Sequence, residues 1–286
     1  MILALTVGMG LLIGLSLGAL GGGGSILTVP ALVYVIGQGA KAATTSSLFI
    51  VGISALIAAL GHHRSGRVRW ATGLVFGITG IAASFAGTAA NRLVQPNVLL
   101  LAFAVLILVA AAGMLAKTRA AARREAPDRS PTAVGAGART AVSPAQVAEA
   151  EQPFASLRDW EWRRTGKVLA AGLAVGFMTG FFGVGGGFVI VPALTLALGM
   201  AMPEAVATSL LVIAINSGAA LLFRAGSAHF DWGVIIPFTL AAIAGSLAGK
   251  KVADRLNART MTRAFAMLLV VVAVYTATQS VMGLTG

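Results

Sequence analysis

The chain has 286 residues, 57% of them hydrophobic and 10% charged, with a mean hydropathy of +0.89. A water-soluble domain carries about a quarter charged residues, so this composition excludes one and points to a polytopic α-helical membrane protein. The net charge of +12 is no sign of nucleic acid, because Lys and Arg fall between the apolar runs, and the lack of Cys removes disulfides, thiol chemistry and Cys-containing metal clusters.

Eight apolar segments follow in chain order: roughly 2–36, 42–61, 70–91, 97–116, 168–202, 205–223, 231–249 and 260–283. The opening Met1-Ile-Leu-Ala-Leu-Thr6 lacks a basic n-region and runs on past signal-peptide length, so it reads as a retained membrane segment. The first and fifth segments each hold about 35 uncharged residues. As one straight helix, each would be about 50 Å long against a hydrocarbon core of about 30 Å. Both contain a glycine cluster followed by a proline: Gly21–Gly24 with Pro30, and Gly183 with Gly185–Gly187 and Pro192. Glycine is ill suited to a helix interior, so each cluster predicts a break at membrane depth.

The two clusters belong to a repeat. Gly18-Ala-Leu-Gly-Gly-Gly-Gly-Ser-Ile-Leu-Thr-Val-Pro-Ala-Leu32 returns as Gly180-Phe-Phe-Gly-Val-Gly-Gly-Gly-Phe-Val-Ile-Val-Pro-Ala-Leu194. An offset of 162 aligns 18–87 with 180–249 without gaps, with roughly a third of positions identical, and sets Trp70 on Trp232 and Ser84/Gly87 on Ser246/Gly249. The chain thus reads as two four-segment repeats, 1–116 and 168–286. Between them, 117–167 reads as a linker whose middle, Ala126 to Pro153, is rich in Ala, Pro, Ser and Gly. Trp160 and Trp162, flanked by Arg, read as an interfacial anchor before the fifth segment.

Charge selects the topology. Eight full crossings would split the 21 basic residues about 14 to 7. If the first and fifth segments instead dip in and return, loops 62–69, 117–167 and 250–263 share one side and collect 18 of them, leaving Lys41, Arg92 and Arg224 opposite. The second arrangement fits the positive-inside rule far better. It makes the halves inverted repeats in a bacterial inner membrane, with loop 117–167 cytoplasmic and both termini periplasmic.

Matched breaks in the two halves of a membrane protein mark a transport site, where the turns meet near the bilayer midplane. Beyond each turn, from Ser25 or Gly187 onward, a short helix is expected to begin with free N–H groups and a positive dipole end, an anion cradle. Gly22, Gly23, Gly24, Ser25, Gly185, Gly186 and Gly187 are its expected residues, with close helix packing as the competing reading. Thr44, Thr45, Ser46 and Ser47 open the second segment. The matched pairs Ser47/Ser209 and Ser54/Asn216 are candidates for hydrogen bonds to ligand oxygens. His62, His63 and His229 fall at segment ends and read as solvated interfacial residues, not metal ligands. None of the nine Asp and Glu lies mid-segment, which argues against a buried acid relay, although Glu204 could gate at a membrane face. Neither a Walker motif nor a nucleophile–base pair is present, so neither direct ATP drive nor intramembrane hydrolysis is expected, and no cofactor is implied.

The doubled glycine-proline pattern, the Ala-Thr-Thr-Ser-Ser-Leu48 and Ala-Val-Ala-Thr-Ser-Leu210 stretches, and the Gly66-Arg-Val-Arg-Trp70 entry resemble the TauE/SafE sulfite exporter family. The resemblance covers both repeats and spares the linker. It implies a secondary permease for sulfite, a sulfonate or a related small organic anion, and it implicates Gly21–Ser25, Pro30, Gly183–Gly187, Pro192, Ser47 and Ser209. The second repeat departs at His229-Phe-Asp-Trp232, where the basic entry is lost. Two other classes remain open: an anion channel using the same helix ends, and a membrane scaffold or receptor whose linker binds a partner. Flux kinetics separate the first from a carrier, and deletion of 126–153 separates the second.

Overall fold

The computed structural model describes residues 2–63, 65–91, 93–124, 162–182, 187–224 and 230–285. Their α-helices are, in order, α1 Ile2–Leu20, α2 Gly23–Pro30, α3 Ala40–His63, α4 Trp70–Asn91, α5 Pro96–Arg124, α6 Trp162–Phe182, α7 Gly187–Pro192, α8 Met202–Arg224, α9 Trp232–Arg255 and α10 Ala258–Thr285. Eight of them are long and apolar enough to cross a membrane; α2 and α7 belong to shorter apolar helices, Gly23–Val35 and Gly187–Ala197. Leu12, Ile78, Leu222, Leu240 and Met267 stand well exposed on the outside, an arrangement water would penalise and lipid accepts. The protein is an all-α, multi-pass membrane protein. Helix α5 runs to Arg124 and α6 starts at Trp162, so both ends of the expected 117–167 linker are helical. Its middle, with Trp160, lies outside the described residues.

The first apolar segment does break at its glycines. Gly21 closes α1 with φ +73°, a left-handed turn that a side chain would strain, and its N–H bonds the Leu17 carbonyl at 2.8 Å. Helix α2 then leads through Pro30 into a π-helical stretch, Ala31–Val35, and α7 leads through Pro192 into Ala193–Ala197. Proline lacks the N–H that an α-turn requires, and the wider turn follows directly, with Ile36 N–H reaching the Ala31 carbonyl and Leu198 N–H reaching that of Ala193. The two π stretches lie 162 positions apart, as do the first residues of α3 and α8, of α4 and α9, and of α5 and α10.

Small residues determine which helices touch. Gly10, Gly14 and Gly18 of α1 lie against Phe238, Ala242 and Ser246 of α9, while Gly245 and Gly249 meet Leu11 and Leu15 in return. In the other half, Gly172, Gly176 and Gly180 of α6 lie against Phe76, Gly80 and Ser84 of α4, and Gly87 meets Phe177. In each pair a methyl group on most of these glycines would strike a backbone carbonyl, so the chains approach as closely as membrane helices can. Both contact series ascend together, so α1 runs parallel to α9 and α6 parallel to α4.

Other contacts complete the directions. Phe49 stacks edge-on against Trp232 and Gly61 lies near Leu247, so α3 also runs with α9. Gly73 meets Thr208 and Leu211 while Gly77 meets Ile215, so α8 runs with α4. Helices α1 and α3 therefore point the same way, and the chain between them must return: α1 goes in and α2 comes back. The same holds for α6, α7 and α8. Through the short connection 65–69, α3 and α4 are antiparallel, which makes α3 and α8 antiparallel as well.

Candidate substrate site at the paired helix breaks

The two broken segments meet. Gly22, which precedes α2, lies against the backbone of Gly187 at the start of α7, and Gly187 in turn faces the Ser25 hydroxyl and Ile213. A side chain at Gly22 would occupy the place of the Gly187 carbonyl, so this crossing exists only because the residue has none. Gly21 faces the Ser209 hydroxyl at the N-terminal end of α8. Gly22, Ser25, Gly187 and Ser209 are thus brought to one place. Gly23 and Gly24 point elsewhere. Gly23 faces Leu268 of α10, and Gly24 packs onto Ile13 and Leu17 of α1, where close helix approach accounts for the missing side chain. Gly185 and Gly186 lie outside the described residues.

Helix α2 begins at Gly23, not at Ser25, and carries no side-chain cap, so its first-turn N–H groups have no acceptor within the helix. Most hydroxyls here are already used. Ser25 Oγ donates to the Gly22 carbonyl at 2.7 Å, Thr28 Oγ1 to Gly24 at 2.9 Å, Ser47 Oγ to Thr44 at 2.8 Å and Ser209 Oγ to Val206 at 2.7 Å. Each is the local bond by which membrane hydroxyls satisfy themselves, and each oxygen keeps lone pairs but has spent its proton.

A different set is unspent. Ser46 and Ser54 are fully buried, and their hydroxyls have no hydrogen-bond partner; the Asn216 Oδ1 atom is buried and equally alone. Ser54 and Asn216 flank the point where α3 crosses α8, at which Gly52 meets Ser217. A buried polar atom without a partner costs about 1–3 kcal/mol, so these atoms are candidates for contact with a bound molecule. His62 belongs to this class too. It is buried, not solvated as its position at a segment end implied, and neither ring nitrogen is hydrogen-bonded. It lies beside Gly18 of α1, with Lys250 and Asp254 of α9 and Arg67 of the connection near it. His63 does sit at the surface, where its Nδ1 accepts from Trp70 Nε1 at 3.1 Å.

At the end carrying the 65–69 connection, polar contacts tie elements distant in sequence. Arg67 pairs with Asp254, Arg69 pairs with Glu204 at 3.1 Å, Lys250 Nζ donates to the Gly61 carbonyl at 2.7 Å, and Arg69 N–H donates to Thr208 Oγ1 at 3.1 Å. The positions matching Arg69 and Glu204 in the other half are Asp231 and Ala42, which cannot form the same pair. Among the described residues no group of His, Asp and Glu has the arrangement to hold a metal ion.

The sulfite exporter TauE/SafE family model matches residues 6–276. The chain belongs to that family. A protein of Xylella fastidiosa strain 9a5c named "Probable membrane transporter protein" is 31% identical over 276 residues, 96% of this chain and 94% of its own. A relative from Bacillus subtilis, "Probable membrane transporter protein YunE", is 24% identical over 271 residues, 92% of each chain. No solved structure gives a significant match. The TauE/SafE match and these relatives make the chain a membrane transporter. What sequence reasoning missed lies around the breaks: the glycine stripes Gly10/Gly14/Gly18 and Gly172/Gly176/Gly180, the buried His62, and the ion pairs of Arg67 and Arg69. The stripes were open to sequence, being spaced at every fourth residue.

Proposed function

We propose that this transporter is a secondary carrier of a small anion, a sulfur oxyanion or an organosulfonate, that works by alternating access around the joined helix breaks. The observation that carries the reading is the Gly22–Gly187 contact, which sets the starts of two half-helices side by side. The uncapped start of α2 and the positive dipole end there favour an anion, and none of the nine Asp and Glu lies within either glycine-broken segment. Ser54 and Asn216 supply unspent polar atoms at the neighbouring α3–α8 crossing. A trigonal or tetrahedral oxyanion, with several acceptor oxygens, matches donors arriving from two directions.

The halves act as inverted repeats about the membrane plane. The antiparallel α3 and α8, and the exchanged pairs α1 with α9 and α4 with α6, are what a two-fold axis in that plane generates. Alternating access follows if one half rocks on the other: the contacts of Arg67, Arg69 and Lys250 then form the clasp at one end, and rocking breaks them. With the basic end cytoplasmic, both termini face the periplasm.

The test is ligand-induced stabilisation of the purified protein by sulfite, thiosulfate, sulfoacetate, taurine and acetate. A ligand at a hundred times its Kd stabilises by about 2.7 kcal/mol. The expected result is a selective rise in Tm with one sulfur anion, diminished in Asn216→Leu. No rise with any of them, or an equal rise in the variant, would refute the assignment of the anion to this crossing.

A further inference from the structure

Away from the helix breaks, α5 and α10 enclose a groove of about 420 Å³ on the outer surface, lined by Leu115, Thr118, Arg119, Arg263, Met267 and Val270, with Ala266 at its floor. Its two ends differ. Helix α5 runs antiparallel to α4 and α10 antiparallel to α9, so residue numbers rise along one wall and fall along the other. Arg119 and Arg263 therefore share one end, the same end as Arg67, Lys250 and Asp254. Leu115, Met267 and Val270 form the rest, toward the middle of the bundle. Thr118 has spent its proton on the Met114 carbonyl at 2.9 Å and adds no charge. Among the described residues, neither arginine makes an ion pair. Two arginines without an ion partner among the described residues thus cap an apolar trough that opens toward lipid.

The positions at the repeat offset on these two helices provide a comparison within the molecule. At the offset of 162, Arg119 corresponds to Val281 and Arg263 to Leu101, while Ala266, Met267 and Val270 correspond to Ala104, Val105 and Leu108. The apolar wall is kept and the charges are not. Pairing of α5 with α10 therefore does not require arginine, and the cations answer to something present at one membrane face only.

We infer that this groove binds a phospholipid with an anionic headgroup: the phosphate bridges Arg119 and Arg263, and an acyl chain lies along Leu115, Met267 and Val270. Charge complementarity selects the headgroup, and the trough, too apolar for a free ion, selects a lipid over inorganic phosphate. The bound lipid links one helix of each half, because α5 closes the first repeat and α10 closes the second.

Native mass spectrometry of the full chain, released from detergent after incubation with phosphatidylglycerol or phosphatidylcholine, tests this directly. One cation near an anionic lipid is worth about 1 kcal/mol, or about fivefold in affinity, so Arg119→Gln with Arg263→Gln is expected to weaken phosphatidylglycerol retention about thirtyfold and retention of phosphatidylcholine, whose choline offsets its phosphate charge, far less. Met267→Trp, at a position already 71% exposed, keeps both cations and narrows the trough; it too is expected to weaken lipid retention, with no demand on the fold. Equal retention of the two lipids by the wild type, or full retention in the double variant, would overturn the inference. So would displacement of the lipid by inorganic phosphate alone in the Met267→Trp protein, which would make the arginine pair a free-ion site.

Discussion

Gly22→Ala is the smallest change that tests the joined breaks. A methyl group built there falls 2.7 Å from the Phe188 nitrogen and nearer still to the Gly187 carbonyl. Both are backbone atoms and cannot rotate away, so the two half-helices must separate. A gap of about 0.5–1 Å already forfeits a quarter to a half of the dispersion contact, and overpacking of this kind costs about 1–3 kcal/mol. That corresponds to a fall in Tm of roughly 2–10 °C. Gly8→Ala is the control: it lies on α1, nothing stands within 4 Å of the added methyl, and the exchange favours the helix. Uptake of labelled sulfite into proteoliposomes, measured beside Tm, gives the readout. Gly22→Ala is expected to lose most transport along with stability, and Gly8→Ala to lose neither. Wild-type uptake and Tm in Gly22→Ala would show that the breaks are not in contact and refute the reasoning.

Ser54→Ala removes a hydroxyl that has no partner, so Tm is expected to hold or rise while substrate affinity falls; a drop in Tm with unchanged affinity would give Ser54 a purely structural part. The Arg67–Asp254 pair is partly exposed and worth about 0–1 kcal/mol, so Asp254→Asn should barely change Tm yet alter the transport rate, with the exchange Arg67→Asp plus Asp254→Arg restoring it. A double exchange that behaves like the sum of its singles would remove the pair from the clasp. Deletion of 126–153 is expected to leave uptake unchanged, whereas loss of function with normal membrane insertion would favour the scaffold or receptor reading.

The architecture was legible where chemistry is one-dimensional. Charge-free length, glycine clusters and prolines locate the breaks, and the 162 offset recurs in the helix boundaries themselves. Depth and facing were less legible. Gly22 and Gly24 are indistinguishable in sequence, yet one meets the opposite half and the other packs on α1, a difference set by two helical steps, about 200° of rotation. His62 and His63 are adjacent and identical in type; a single helical step of about 100° buries one beside Gly18 and leaves the other at the surface with Trp70. Hydroxyl roles were hidden for a similar reason. Ser47 and Ser46 are neighbours, but only tertiary packing decides which bonds its own helix and which is left unpartnered.

Counterflow of labelled sulfite in proteoliposomes tests the carrier reading most directly. Unlabelled sulfite inside is expected to accelerate entry of label, with saturation at rising external concentration, because one site serves both faces in turn. Uptake that rises linearly and ignores internal sulfite would contradict the carrier and leave a channel.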